Sequence, residues 1–470
     1  MLPHDTAEAG VAEIPWVVCG IACDIAASTV SAPSALADRR SRRLDALVLG
    51  AARDSPLYRR LLGEVNGPVA LERLPVMHKA MLMRHFDAWV TDPDIRLRDL
   101  RDFLADDARI GRPFLGRYTV WQSSGSTGGP GVFVQDPMAM SIYDALEAVR
   151  RPPTLTRCFD PWFATERIAF IGATHGHFAS VVAVRRARRL NPVLGPNLHE
   201  VSFLQPVSDL VAQLDELKPS IVCTYPSLAV LLAGERLAGH LRSSPREMWT
   251  GGETLTSAAR EYIRQAFGCS VVNSYGASEL LPLAAECGRG RLHLNADWAI
   301  LEPVDDRGNA VPDDVMSSSC LLTNLANLVQ PIIRYDLGDS VSRSSHRCAC
   351  GSSLPVIDVL GRQDDILWLD DGQVHAGVPP LGVCGVLEDD AELFDFQLEQ
   401  LAPASLRLST RLSDGPARAK LQRGREALEA YFARLGCAHV RISIRTGTPG
   451  KRGAGGKVRR VLGMGRKPAD

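Results

Sequence analysis

The chain has 470 residues, more than one hydrophobic core usually serves, so two or more domains are expected. Its 53 Lys and Arg nearly balance 54 Asp and Glu, which argues against a dedicated nucleic-acid or polyanion binder. Apolar residues make up 45%, an ordinary globular share. No run approaches the roughly 18 apolar residues that a membrane helix needs. The apolar stretch Ile14–Ala27 follows Asp5, Glu8 and Glu13 and is interrupted by Asp24. It lacks the positive start of a signal peptide, so the chain reads as cytoplasmic. The 11 cysteines read as core residues or metal ligands rather than a disulfide framework. The basic clusters Arg39–Arg43 and Arg185–Arg189 read as solvated faces.

Residues 1–38, rich in Ala, Pro and Ser, are expected to be partly disordered. From Arg39 to Gly63, Leu44, Leu47, Leu49 and Leu61 recur among charges, as in an amphipathic helix. Pro75 disfavours helix at Leu74, so Leu74–Lys79 reads as a turn into a helix that continues toward Trp89. Strands are expected at Arg167–Gly172, Ser220–Thr224 and Val271–Asn273, and helices at Val207–Leu217 and Ser257–Phe267. That alternation predicts an α/β fold with a mainly parallel sheet. Later strands, Ala299–Val304 and Cys320–Asn324, flank the turn Asp305–Gly308. After Gly361 the texture changes to alternating strands, one clear helix (Ala417–Leu435) and a basic Gly-rich end. The boundaries so read are a large domain over 39–363 and a small C-terminal domain over 364–470.

The segment Trp121–Gly131 interleaves hydroxyls with glycines: Ser123, Ser124, Gly125, Ser126, Thr127, Gly128 and Gly129. Glycines let backbone N–H groups converge on an anion, and hydroxyls add donors, which suits a triphosphate. It is not a Walker loop, because the Gly-Lys-Ser/Thr ending is missing. On composition alone a plain Ser/Gly linker is an equal alternative.

This segment resembles the phosphate-binding loop of the acyl-adenylate-forming (AMP-binding) superfamily, and four further segments match in order. Asn273–Glu279 resembles the family's aromatic-Gly-x-Thr/Ser-Glu motif, and Ile333–Asp339 its ribose-binding motif. Leu360–Asp365 resembles its hinge motif, and Gly456–Arg460 the motif that holds its C-terminal lysine. The resemblance runs from about residue 40 to the end, and the branch it resembles is the phenylacetate–CoA ligase-like group, including coenzyme F390 synthetase-like proteins. It implies a large N-terminal adenylate-forming α/β domain with mainly parallel sheets and a small mobile α+β C-terminal domain.

The implied roles make chemical sense, because a carboxylate must attack the α-phosphorus of ATP while pyrophosphate leaves. Phosphate charge must be neutralised and the reactants aligned. Ser123, Ser124, Gly125, Ser126, Thr127 and Gly128 would hold the phosphates. Glu279 would be the magnesium ligand. Tyr275 would pack on the adenine with Ser274, Gly276 and Ser278 nearby, and Gly252 and Glu253 would line the other side. Asp339 would bind the ribose hydroxyls and Arg362 the ribose and phosphate. Asp364 would be the hinge, and Lys457 would bring positive charge to the α-phosphate, with Lys451 the runner-up. Thr174, His175 and His177 fall where the family lines its acid pocket, although a structural histidine is an equal reading for either one.

Cys287, His293, Cys348 and Cys350 suit a closed tetrahedral zinc site that would clip two loops together just before the hinge. The implied activity is ATP-dependent activation of an aryl or arylacetic acid, then transfer to a thiol of coenzyme A or a carrier protein. An amine acceptor is the alternative, and a zinc-stabilised nucleotide-binding scaffold is the non-enzymatic one. No nucleic-acid or membrane partner is expected. Two departures from the family pattern stand out: the phosphate loop lacks a lysine, and Trp368–Pro380 differs from the usual loop that helps accept coenzyme A.

Overall fold

The computed structural model describes residues 14–63, 70–123, 130–152, 163–203, 205–362, 367–370, 375–378, 380–413, 415–448 and 459–464, with a few single positions between them. Ile14–Thr29 and Pro33–Asp54 are helices, so the disorder expected for residues 1–38 does not hold over 14–29 and 33–38. Residues 1–13 lie outside the described residues. The reason is tertiary. Ile25 and Leu36 enter the main core, and Ser28 Oγ donates to Asp297 Oδ2 at 2.6 Å. Arg150 Nη2 meets the same oxygen at 2.7 Å in a buried ion pair. Composition shows none of these partners.

The helix expected over 39–63 is two helices, Pro33–Asp54 and Pro56–Leu62. Pro56 disfavours helical backbone at the residue before it, and Ser55 is extended. Ser55 then caps the second helix by accepting the Tyr58 N–H. The stretch toward Trp89 is likewise split at His85, into Lys79–Arg84 and Phe86–Trp89.

Among the described residues the largest sheet has nine strands. Across it lie Asp339–Arg343, Val356–Arg362, Leu292–Leu294, Leu280–Glu286, Ser270–Ala277, Glu247–Gly251, Ile221–Thr224, Ile168–Gly172 and Leu198–Ser202. The last five pair in parallel and the other pairings are antiparallel, so the parallel character is confined to half of the sheet. The helices Val207–Leu217, Pro226–Leu237 and Ser257–Phe267 connect the parallel strands, as crossovers must. Thr256 caps the last of these by accepting the Ala259 N–H, and Gly268 ends it at φ +63°.

An antiparallel sheet of Ala299–Val304, Ser319–Asn324 and Ile332–Asp336 packs into the main core through Leu301, Leu322 and Ile332. Residues from Leu367 onward build a separate core around Leu398, Leu406, Leu421, Leu428 and Phe432. There the helix Gly415–Arg434 covers a sheet ordered Arg441–Arg445, Ser405–Ser409, Gln397–Ala402, Val461–Leu462. No helix among the described residues is long and apolar enough to cross a membrane.

Candidate active site

Trp121 and Gln122 end one strand of a hairpin, and Val132 begins the other, with Gln122 opposite Val132. The segment between them is the Ser/Gly loop. Residues 124–129, which include Ser124, Gly125, Ser126, Thr127 and Gly128, lie outside the described residues. The neck of the loop is fixed. Ser123 N–H donates to Gly131 O, and Gly131 N–H donates to Ser123 Oγ, both at 2.8 Å. Ser123 therefore closes the loop with its oxygen as acceptor. Gln122 N–H donates to His177 O at 2.7 Å, which ties the neck to the segment between the strand Ile168–Gly172 and the helix Ala179–Leu190.

The second motif meets this neck directly. The Trp121 side chain is fully buried, and its Nε1–H donates to Ser278 O at 2.8 Å. The next residue, Glu279, is 8% exposed, and its carbonyl accepts from Asn324 Nδ2 at 2.8 Å. Asn324 was not anticipated, because a buried amide at a strand end carries no sequence signature. Gly276 sits at a register shift between Tyr275 and Ala277. A Cβ there would lie 1.9 Å from Leu281 O, so only glycine fits.

Tyr275 Oη donates to Asp339 Oδ2 at 2.6 Å. Burial and the Asp339 charge push the phenol well above its ordinary pKa, so it stays a donor. Asp339 in turn lies opposite Arg362 in the antiparallel register of the edge strands. The Arg362 side chain, Asp364, Lys451 and Lys457 lie outside the described residues. Thus the Tyr275 side chain of the second motif, on the central strand, reaches Asp339 of the third on the edge strand, and the backbone of Arg362 of the fourth lies opposite Asp339.

Other expected contacts have visible structural duties. Gly252 has φ +78°, a left-handed turn that suits glycine. Glu253 Oε2 accepts the Ser227 N–H at 3.0 Å, so its carboxylate sits at the start of the helix Pro226–Leu237. Ser274 Oγ donates to Thr250 O. Arg334, inside the ribose-type motif, has φ +47° and pairs with Glu302, and it donates to the carbonyls of Glu72 and Leu74.

Of the proposed acid-pocket residues, His175 is exposed and the Thr174 carbonyl accepts from Arg185. His177 is fully buried beside Phe103, with Nε2 3.1 Å from Asp106 O. Burial holds its imidazole below the usual range. These three side chains do not converge on one point: one faces solvent and another faces the core.

Cys287, His293, Cys348 and Cys350 do converge, with their ligand atoms all within 4.8 Å of one another. Cys287 Sγ is 3.8 Å from Cys348 Sγ, and Cys350 Sγ is 3.4 Å from His293 Nε2. Zn–S and Zn–N bonds of ordinary length in a tetrahedron imply edges of about 3.8 and 3.6 Å, which these two edges approach. His293 Nδ1 is 2.9 Å from Leu354 O, which leaves Nε2 as the ligand atom. The backbone N–H groups of Arg289 and Ser352 point at Cys287 and Cys350 sulfurs at 3.4 Å each.

Residues 123–315 match the family described as AMP-binding enzyme. The match covers less than half of the chain. The matched residues begin at the loop neck and take in the aromatic motif and two of the four cage ligands. Protein CapK of Staphylococcus aureus is 26% identical over 161 residues, which are 33% of this chain and 34% of CapK. The match therefore spans about a third of that curated relative.

Among solved structures, 2-hydroxyisobutyryl-CoA ligase in its postadenylation state superposes with a TM-score of 0.66 at 18% identity. That match covers 93% of this chain and 91% of the ligase. A benzoate CoA ligase from Burkholderia xenovorans gives 0.50 at 17% identity, covering 82% and 78% of the two chains. An anthranilate CoA ligase gives 0.51 at 16% identity, covering 73% and 65%. At these identities the likeness shows the fold alone: a large α/β domain followed by a smaller C-terminal domain.

Proposed function

We propose that the protein uses ATP to convert a carboxylic acid, of aryl or arylacetic type, into an acyl-adenylate, and then passes the acyl group to the thiol of coenzyme A. The observation that carries this reading is the Tyr275–Asp339 hydrogen bond, with Arg362 opposite Asp339 in the register and Ser278, next to Glu279, fastened to the neck of the Ser/Gly loop by Trp121. In this reading the nucleotide's ribose sits at Asp339 and its phosphates at the loop.

In the first half-reaction a carboxylate oxygen of the acid bonds to the α-phosphorus. The bond from that phosphorus to the bridging oxygen breaks, and pyrophosphate leaves with the electron pair. In the second, the thiolate bonds to the acyl carbon and AMP departs. Ser123 O–H and the loop donors hold the phosphates, Asp339 orients the ribose, and Lys457 supplies positive charge to the α-phosphate. Magnesium held by the Glu279 carboxylate would neutralise phosphate charge. The named structural neighbours are CoA ligases, which supports a thiol as acceptor. The four-residue cage is proposed as a structural zinc site with no open position.

The test is ATP–pyrophosphate exchange across aryl, fatty and amino acids, followed by AMP release with coenzyme A or an amine supplied. Exchange with at least one acid, and thiol-dependent AMP release, are expected. Lys457→Ala lowers exchange by orders of magnitude while leaving the fold intact. Unchanged exchange in that variant removes Lys457 from the mechanism.

A further inference from the structure

Three residues past the nucleotide turn Gly251–Glu253, at Thr256, the side chains of both domains meet. Thr256, which caps the helix Ser257–Phe267 of the large domain, also donates its hydroxyl to Glu388 Oε2 of the small one. The Glu388 side chain is fully buried and its other oxygen lies 2.5 Å from Arg460 Nη1. Arg460 is held within the small domain: its carbonyl accepts the Leu398 N–H at 2.7 Å, and its Nη2 donates to Phe394 O at 3.2 Å. The Phe394 ring lies on Tyr262 of the large domain, with centroids 4.5 Å apart and planes at 17°.

A buried carboxylate must keep partners on both oxygens or recover water. Here Arg460 supplies one partner from within the small domain, and the large domain supplies the other through Thr256. The Glu388 charge also faces the N-terminal end of an 11-residue helix, where the aligned peptide dipoles favour an anion. Rotating the small domain away strips Glu388 of that hydroxyl and that dipole, and opens the aromatic stack. The contact is therefore specific to one relative orientation.

The chain superposes on 2-hydroxyisobutyryl-CoA ligase better in its postadenylation state than in its thioesterification state, with TM-scores of 0.66 and 0.54 over the same coverage. We propose that Thr256, Glu388 and Arg460, with the Tyr262–Phe394 stack, form an orientation latch. It holds the small domain against the nucleotide turn for acyl-adenylate formation and releases it for thioester formation. This inference rests on the ligase reading above. The latch residues are positioning residues: none is assigned a contact with substrate.

The test separates the two half-reactions in Thr256→Val, Thr256→Ser and Tyr262→Ala. Pyrophosphate exchange reports the first, and thioester formation from supplied acyl-adenylate and coenzyme A reports the second. Thr256→Val and Tyr262→Ala are expected to lower exchange about tenfold and to leave the second half-reaction within about twofold, a tenfold loss being about 1.4 kcal/mol. Thr256→Ser, which keeps the hydroxyl and the cap, restores exchange. Equal losses in both half-reactions, or no loss in either, overturn the latch. Tyr262→Ala leaves the helix cap intact, so it decides the matter if Thr256→Val is poorly folded. A wild-type chain that exchanges with no acid sinks the ligase reading and the latch with it. Normal wild-type exchange with unaffected variants sinks the latch alone.

Discussion

The Tyr275 phenol and the Asp339 carboxylate, 64 residues apart in the chain, share a 2.6 Å hydrogen bond. The bond aims Asp339 from the edge strand toward the aromatic motif. If Asp339 receives the ribose hydroxyls, Asp339→Ala raises the apparent KM for ATP about tenfold or more, since a bond to a charged group contributes about 1.5–3 kcal/mol. Tyr275→Phe raises it less, because the carboxylate stays. An unchanged KM in Asp339→Ala excludes the ribose contact; exchange rates against ATP concentration measure it.

Trp121→Phe keeps the buried ring but leaves the Ser278 carbonyl without its Nε1–H donor. A lost hydrogen bond of this kind costs about 1 kcal/mol. The expected result is a slower exchange reaction with a melting temperature lowered by only a few degrees, since the change loosens the link between loop neck and Glu279. A variant with wild-type exchange kinetics shows that this link does not matter to the reaction.

Gly276→Ala places a methyl group 1.9 Å from the Leu281 carbonyl oxygen, and backbone cannot yield as a side chain can. A destabilisation above about 2 kcal/mol is expected, of the size that overpacking and strain produce. Chemical unfolding of the variant measures it.

Purified protein is expected to hold about one zinc per chain by elemental analysis, and Cys348→Ser to lose it with a clear fall in melting temperature. Ser353 N–H and Ser352 Oγ both donate to Thr29 O, just past the Cys350 ligand. Loss of the metal therefore also makes the helix Ile14–Thr29 more sensitive to proteolysis. Metal-free protein with wild-type stability removes the structural role.

Burial lowers the pKa of His177 below its unfolded value of about 6.5. The sign follows from proton counting: below that value the unfolded chain binds a proton that the native His177, facing Asp106, Asp107 and Arg185, takes up less readily. Native stability from this group is thus full above about pH 6.5 and is lost as pH falls through the lowered value. His177→Gln flattens the acid side of the stability curve; an identical acid limb in the variant contradicts the assignment.

Local patterns were legible where short-range forces decide. The helices Val207–Leu217 and Ser257–Phe267 and the strand Ala299–Val304 run over the residues their periodicity indicates. The four cage ligands were visible as residue types, since thiolates and imidazole carry their chemistry with them. The histidines of 174–177 were not resolved, because sequence does not say which way a side chain points.

The sequence by itself determined the ordered motifs, the alternation that makes an α/β domain, and the ligand types of the cage. Only the tertiary structure decided that Tyr275 reaches Asp339, that Ser123 closes its own loop, and that Glu388 lies under Thr256. It also decided that residues 14–29 are a docked helix rather than loose chain. The physical reason is range. Propensity and periodicity act over a few residues, whereas the Tyr275–Asp339 and Thr256–Glu388 contacts join segments 64 and 132 residues apart that only packing brings together.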